Sequence, residues 1–258
     1  MDILVLKLVV TPVLILSASL AGRRWGETVS GWFIGLPLGS GPVCFFLALE
    51  QGNDFAAGAA RGCVAGTAAE AAFSLAYVWA ARGAGWPTAI VSAGIAFAIS
   101  AAALQTAEAP LALLAPLAYT ALVAGLALMP RQRIGGLVPP PPLWDLPARM
   151  ALATALVFAL TELAPLLGAR LSGLLSTYPL FGSVLAVFAH RLSGPTAAQR
   201  VLQGMLIGLF GNTAFFQLVA LTIESIGVAA SFTAATALTL LIQGATLSLV
   251  NRTSRRSR

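Results

Sequence analysis

Two stretches of the chain, GETVSGWFIGLPLGSGPVCFFLALEQGNDFAAGAARGCVAGTAAEAAF (residues 26–73) and GARLSGLLSTYPLFGSVLAVFAHRLSGPTAAQRVLQGMLIGLFGNTAF (residues 168–215), decide the fold. Laid one on the other without a gap, at an offset of 142, they agree at 12 of 48 positions. Ala and Leu matches are cheap in such a composition, so glycine is the sharper test. Chance predicts about one glycine coincidence and five occur: Gly26/Gly168, Gly31/Gly173, Gly52/Gly194, Gly62/Gly204 and Gly66/Gly208. Pro37/Pro179 and Phe73/Phe215 join them, and Gly85/Gly227 carries the register further. The sequence reads as an internal duplication.

Around these stretches the chain is apolar from end to end. Its 258 residues are 58% hydrophobic and 9% charged, with a mean hydropathy of +0.88, whereas a soluble domain carries roughly 25% charged residues. Apolar runs of about 20 residues, each long enough to cross a bilayer, alternate with short polar breaks. They predict helices near residues 3–22, 29–49, 56–81, 86–106, 109–129, 147–167, 171–190, 197–222 and 227–250. The least marked division falls at Glu108-Ala109-Pro110; without it the count is eight. The apolar stretch ending at Ser17-Ala18-Ser19-Leu20-Ala21-Gly22 resembles a secretory leader, but Asp2 replaces the basic cluster such leaders carry, so it reads as the first membrane helix.

Basic residues stay on the cytoplasmic side of membrane helices. With nine helices one side collects Arg23, Arg24, Arg82, Arg131, Arg133, Arg149, Arg191, Arg200, Arg252, Arg255, Arg256 and Arg258, leaving Lys7, Arg61 and Arg170 on the other. Merging the fourth and fifth helices destroys this asymmetry, so charge favours nine, with the N-terminus outside and the C-terminus cytoplasmic. The expected fold is therefore an all-α integral membrane protein of about nine transmembrane helices. Residues 1–106 form a first four-helix repeat, 107–146 a linking helix and the proline-rich cytoplasmic loop around Pro139–Pro142, and 147–258 a second, inverted repeat. In this 4+1+4 plan the unmatched fifth helix turns the second copy over, an arrangement frequent among transporters.

This plan resembles families in which four-helix proteins assemble as antiparallel dimers and fused relatives carry a linking helix, such as fluoride channels and small multidrug exporters. At sequence level the second copy is similar to the small bacterial GlpM-type inner-membrane proteins, through Gly173-Leu174, Pro179-Leu180-Phe181, Ala189-His190, Gly194, Gly204-Met205 and Phe215-Phe216. The first copy departs by having Ala48 where the second has His190. The resemblance implies a multi-pass protein of the bacterial inner membrane and no defined substrate.

Chemistry is expected where the apolar pattern is interrupted. Pro37, with Gly39, Ser40 and Gly41, and Pro179, with Thr177, Tyr178 and Ser183, fall at matching places inside apolar runs. Proline removes a backbone donor and breaks the helix, and polar backbone freed inside a bilayer must face protein or a wet cavity. Matching broken helices in two inverted copies are the best sequence pointer to a transport site. Glu70 lies mid-helix with no basic residue at its depth, and its counterpart is Asn212, followed by Gln217. A buried carboxylate is costly unless it serves protons or cations, so Glu70 is the expected coupling residue, with Glu162 second to it. Thr67, Thr177, Tyr178, Ser183, Asn212 and Gln217 complete the expected path, although each can equally tie helices together. Gly62 and Gly66 have close-packing spacing, and His190, beside Arg191 at the cytoplasmic end of its helix, reads as solvated or lipid-facing rather than as a proton relay.

Cys44 and Cys63 lack partners at ligand spacing, so neither a disulfide nor a metal site is expected. No phosphate-binding loop or metalloprotease motif is present, and His190 is the one histidine, so no enzyme and no cofactor are expected. The pI of 10.4 comes from arginines scattered between apolar runs, which fits lipid headgroups and excludes nucleic acid. Expected partners are membrane lipids and a small-molecule or ion substrate, and a chain carrying both copies can be self-sufficient as a monomer. The reading is a secondary transporter, proton-coupled, or a channel. The alternative is a non-transporting scaffold or assembly factor, which would be packed solid between the copies.

Overall fold

The computed structural model describes residues 3–106, 109–130, 142–159 and 177–256. Among them the fold is entirely helical, as the long apolar runs require. Helix α1 spans Ile3–Trp25, α2 Glu27–Ile34, α3 Ser40–Gln51, α4 Asn53–Ala80, α5 Trp86–Thr106 and α6 Leu111–Leu128. Residues 145–159 form α7, Leu180–Ser193 α8 and Pro195–Arg256 α9. Helix α9 is bent at Gly227, whose φ of 78° belongs to the left-handed region that glycine enters without strain, giving a first arm (195–226) and a second (228–256). Among the described residues four helical stretches are long and apolar enough to cross a membrane: Asn53–Ala80, Trp86–Leu104, Leu111–Leu128 and Pro195–Ser248.

The expected single helix over residues 29–49 is two helices. Pro37 lies in the turn between α2 and α3, and Gly35 N–H and Leu36 N–H close the end of α2 on the carbonyls of Gly31 and Phe33. Helices α5 and α6 are separate, the one ending at Thr106 and the other beginning at Leu111, so the two apolar runs do not merge.

The core lies where α4 and the first arm of α9 cross. Phe73, Tyr77, Leu202 and Leu206 are fully buried there, and Thr213 donates to Thr67 Oγ1 across the crossing at 3.2 Å. Helix α2 packs on the same arm by backbone. A Cβ on Gly204 would overlap the carbonyl of Thr28, and one on Gly31 the carbonyl of Val201, so only glycine permits this approach. Gln243 Nε2, from the second arm, donates to Gly208 O at 2.7 Å and holds that arm over the crossing.

The offset of 142 recurs in the geometry. Helix α3 ends and α4 begins around Gly52 (φ 91°, ψ 170°); α8 ends and α9 begins around Gly194 (φ 84°, ψ 176°). After each proline the next helix opens with the same hydrogen bond, Gly41 N–H to Pro37 O at 2.9 Å and Ser183 N–H to Pro179 O at 2.8 Å. A Cβ on Gly35 would lie 2.8 Å from Gly208 Cα, and one on Gly66 2.9 Å from Thr177 Cβ; each contact maps onto the other under the offset. Gly39 touches the ring of Phe181, its own counterpart.

Candidate functional site

Each of the two proline turns, Gly35–Gly39 and Thr177–Pro179, is faced by a polar residue from a distant part of the chain. On α4, Gly66, Glu70 and Phe73 share one face, being four and three residues apart. Gly66 meets Thr177, and the Phe73 ring stands edge-on to Tyr178 with centroids 5.6 Å apart. Glu70, between them, therefore faces the turn Thr177-Tyr178-Pro179. On the first arm of α9, Gly208, Asn212 and Phe215 repeat the pattern. Gly208 meets Gly35, and a Cβ on Gly41 would lie 3.5 Å from Phe215, so Asn212 faces the turn from Gly35 to Gly39.

Glu70 and Asn212 are both partly buried, and neither side chain has a hydrogen-bond or ion-pair partner among the described residues. The amides of Leu38 and Gly39, released by the proline turn, likewise have no acceptor among them. The arrangement offers a carboxylate at one interruption and a carboxamide with free backbone donors at the other.

The remaining path residues divide. Tyr178 stands edge-on between Phe73 and Phe97, Pro179 is buried and Ser40 is exposed. Ser183 turns back to donate to Leu180 O at 2.8 Å. Thr67 pairs with Thr213 rather than facing a break. Gln217 points away toward α6, accepting from Tyr119 Oη at 3.1 Å. Glu162 lies outside the described residues, as do residues 170 and 174, which the offset sets opposite Gly62. A groove of about 580 Å³ beside Phe45 and Phe232 is lined by none of the expected path residues.

His190 is not simply solvated. It is partly buried, and its Nδ1 lies 3.2 Å from the hydroxyl of Tyr77, a fully buried residue on α4. Asp145, which sequence reasoning passed over, is buried to 1% exposure where α1 meets α7. It accepts from Arg149 Nε at 2.7 Å and Arg23 Nη2 at 3.2 Å, while the Arg149 guanidinium lies over the Phe188 ring. Glu27, ahead of the membrane segment, joins this cluster; burial pushes its carboxyl above the usual range against the pull of Arg149 and Arg200. The signal available was the Asp145/Arg149 spacing of four residues, a helical ion-pair register.

No protein-family model, no curated protein and no solved structure matches the chain.

Proposed function

We propose that this chain is a multi-pass protein of the bacterial inner membrane that moves a small solute, as a secondary transporter or channel built from two inverted four-helix copies joined by α6. Glu70 couples the movement to protons or another cation. The reading rests on one observation above the rest: an unpartnered carboxylate in the middle of an apolar helix faces the turn Thr177-Tyr178-Pro179 that opens α8. A carboxylate so placed must be neutralised by a proton, a cation or water, and its cost is tolerated where a function requires it. The matched turns, hydrogen bonds and reciprocal contacts at an offset of 142 support the duplication, and the odd number of crossings, five, expected before the second copy supports the inversion.

In proteoliposomes loaded with a pH-sensitive dye, the full chain should carry protons in response to an imposed gradient, and Glu70→Gln should reduce that flux to the level of empty liposomes. Flux unchanged by Glu70→Gln overturns the role of Glu70. No flux from the unaltered chain, together with cysteines at positions 40 and 183 that no aqueous reagent reaches from either side, favours the scaffold.

A further inference from the structure

Side-chain contacts fix which helix termini meet at one end of the bundle. Arg23 of α1 pairs with Asp145 of α7, and Tyr77 of α4 meets His190 near the end of α8. Trp79 Nε1–H of α4 donates to Leu128 O at the end of α6, at 3.2 Å, and Gln199 of α9 donates to Pro130 O just beyond it. That end gathers Arg23, Arg24, Arg82, Arg149, Arg191 and Arg200 around two described carboxylates, Asp145 and Glu27. Arg24, Arg82 and Arg191 have no carboxylate partner among the described residues. The exposed tryptophans Trp25, Trp79, Trp86 and Trp144 lie there too. We propose that the turn joining α4 to α5 holds the headgroup of an anionic phospholipid, with Arg82 as the phosphate ligand and Trp79 as the platform that positions it. This goes beyond the transport reading and rests only on its membrane part.

Three observations carry it. The Arg82 guanidinium lies over the Trp79 ring, 4.9 Å from its centroid, and the ring is itself tied to α6. A guanidinium stacked in this way keeps its N–H edge for another partner, and a phosphate matches that fork with two parallel hydrogen bonds. Next, the turn joins two helices of membrane length, which sets Trp79 and Trp86 at the level where tryptophan meets headgroups. From there Val91, Ile95 and Ile99, exposed and four residues apart, form a lane down α5 that suits an acyl chain and is of no use to a soluble anion. Last, the offset of 142 turns Trp79, Arg82 and Trp86 into Leu221, Glu224 and Val228. The corresponding turn at the bend of α9 thus has neither tryptophan nor an unpaired cation, since Arg61 lies 3.8 Å from Glu224. A turn of this shape does not need the Trp79–Arg82 pair, so the pair answers to a partner. The surrounding arginines favour a net negative headgroup over a zwitterionic one, whose ammonium they repel.

The full chain in detergent is titrated separately with phosphatidylglycerol and with phosphatidylcholine of the same acyl chains, and bound lipid is counted by native mass spectrometry. The first phosphatidylglycerol should bind at least about five times more tightly than phosphatidylcholine, the worth of one arginine beside an anionic headgroup. Arg82→Gln, at an exposed position that leaves the fold intact, should remove that preference. Trp79→Leu should lower it about two-fold, and Arg191→Gln should leave it unchanged. No headgroup preference, or one that survives Arg82→Gln, overturns the site. So does an equal loss from Arg191→Gln, which would mean diffuse charge, or displacement of the lipid by glycerol 3-phosphate at equal concentration, which would mean a free-phosphate site. A chain that alkaline carbonate strips from membranes takes the membrane reading down with the site. A chain that stays in the membrane and ignores headgroups fails only here.

Discussion

At the first break glycine rests on glycine: Gly35 lies against Gly208, and Gly31 and Gly204 are set directly on backbone carbonyls. At the second break a side chain rests on a glycine, Thr177 on Gly66. The positions correspond, yet the first crossing is fixed by main chain, which cannot yield, and the second by a side chain that can turn. Places related by the offset of 142 can thus share a shape and differ in tolerance.

The contrast can be broken by adding one methyl group on each side. Gly204→Ala drives a Cβ into the Thr28 carbonyl and should cost about 4 kcal/mol, beyond ordinary overpacking because backbone must move. Thermal unfolding in detergent, or loss of monodisperse protein, reads this effect. Gly66→Ala, which asks only Thr177 to shift, should cost about 1 kcal/mol by the same assay. Equal losses would erase the distinction.

Between these two in size stands Asp145→Ala, which leaves Arg149, 8% exposed in its side chain, without its carboxylate. A cost of about 3 kcal/mol is expected, the lower end for stranding a buried charge. A smaller effect, with a sign set by pH, belongs to Glu27. Its folded pKa is raised by burial, so the folded chain holds the proton more tightly than the unfolded chain. Its contribution is full below the unfolded carboxyl range, near pH 4, and fades as pH rises through the folded value. The unfolding midpoint should therefore decline with rising pH, and Glu27→Gln should flatten that slope. The least effect is expected from Glu224→Ala. The Arg61–Glu224 pair, 3.8 Å apart with both side chains about half exposed, is worth less than about 0.5 kcal/mol.

Much of this arrangement was legible before any coordinates. Pro37 announces the break between α2 and α3 and Pro179 the start of α8, because proline cannot continue a helix, and the glycine register proposes that the two stretches are equivalent. What the register cannot give is which equivalent elements touch. An offset relates Glu70 to Asn212 without revealing that each residue faces the other half's interruption, since that depends on how the copies dock. The buried cluster at Asp145 stayed hidden for a different reason. The Asp145/Arg149 spacing alone does not show burial, because Arg23 of α1 and Phe188 of α8, which pack on the pair, are distant in sequence. The contact of His190 with Tyr77 was not legible either, because the two lie 113 residues apart in sequence.

The meeting of Gly39 with Phe181 has a consequence of its own. Two identical chains related by a two-fold axis would place the same residue on both sides of that point, either two hydrogens with a void between them or two rings contending for one space. A ring seated on a glycine is open only to a chain whose halves are free to differ. On the proposed duplication, joining the copies in one chain would remove the requirement of self-complementarity at the axis, where a homodimer is most constrained, and let one half supply the knob and the other the hole.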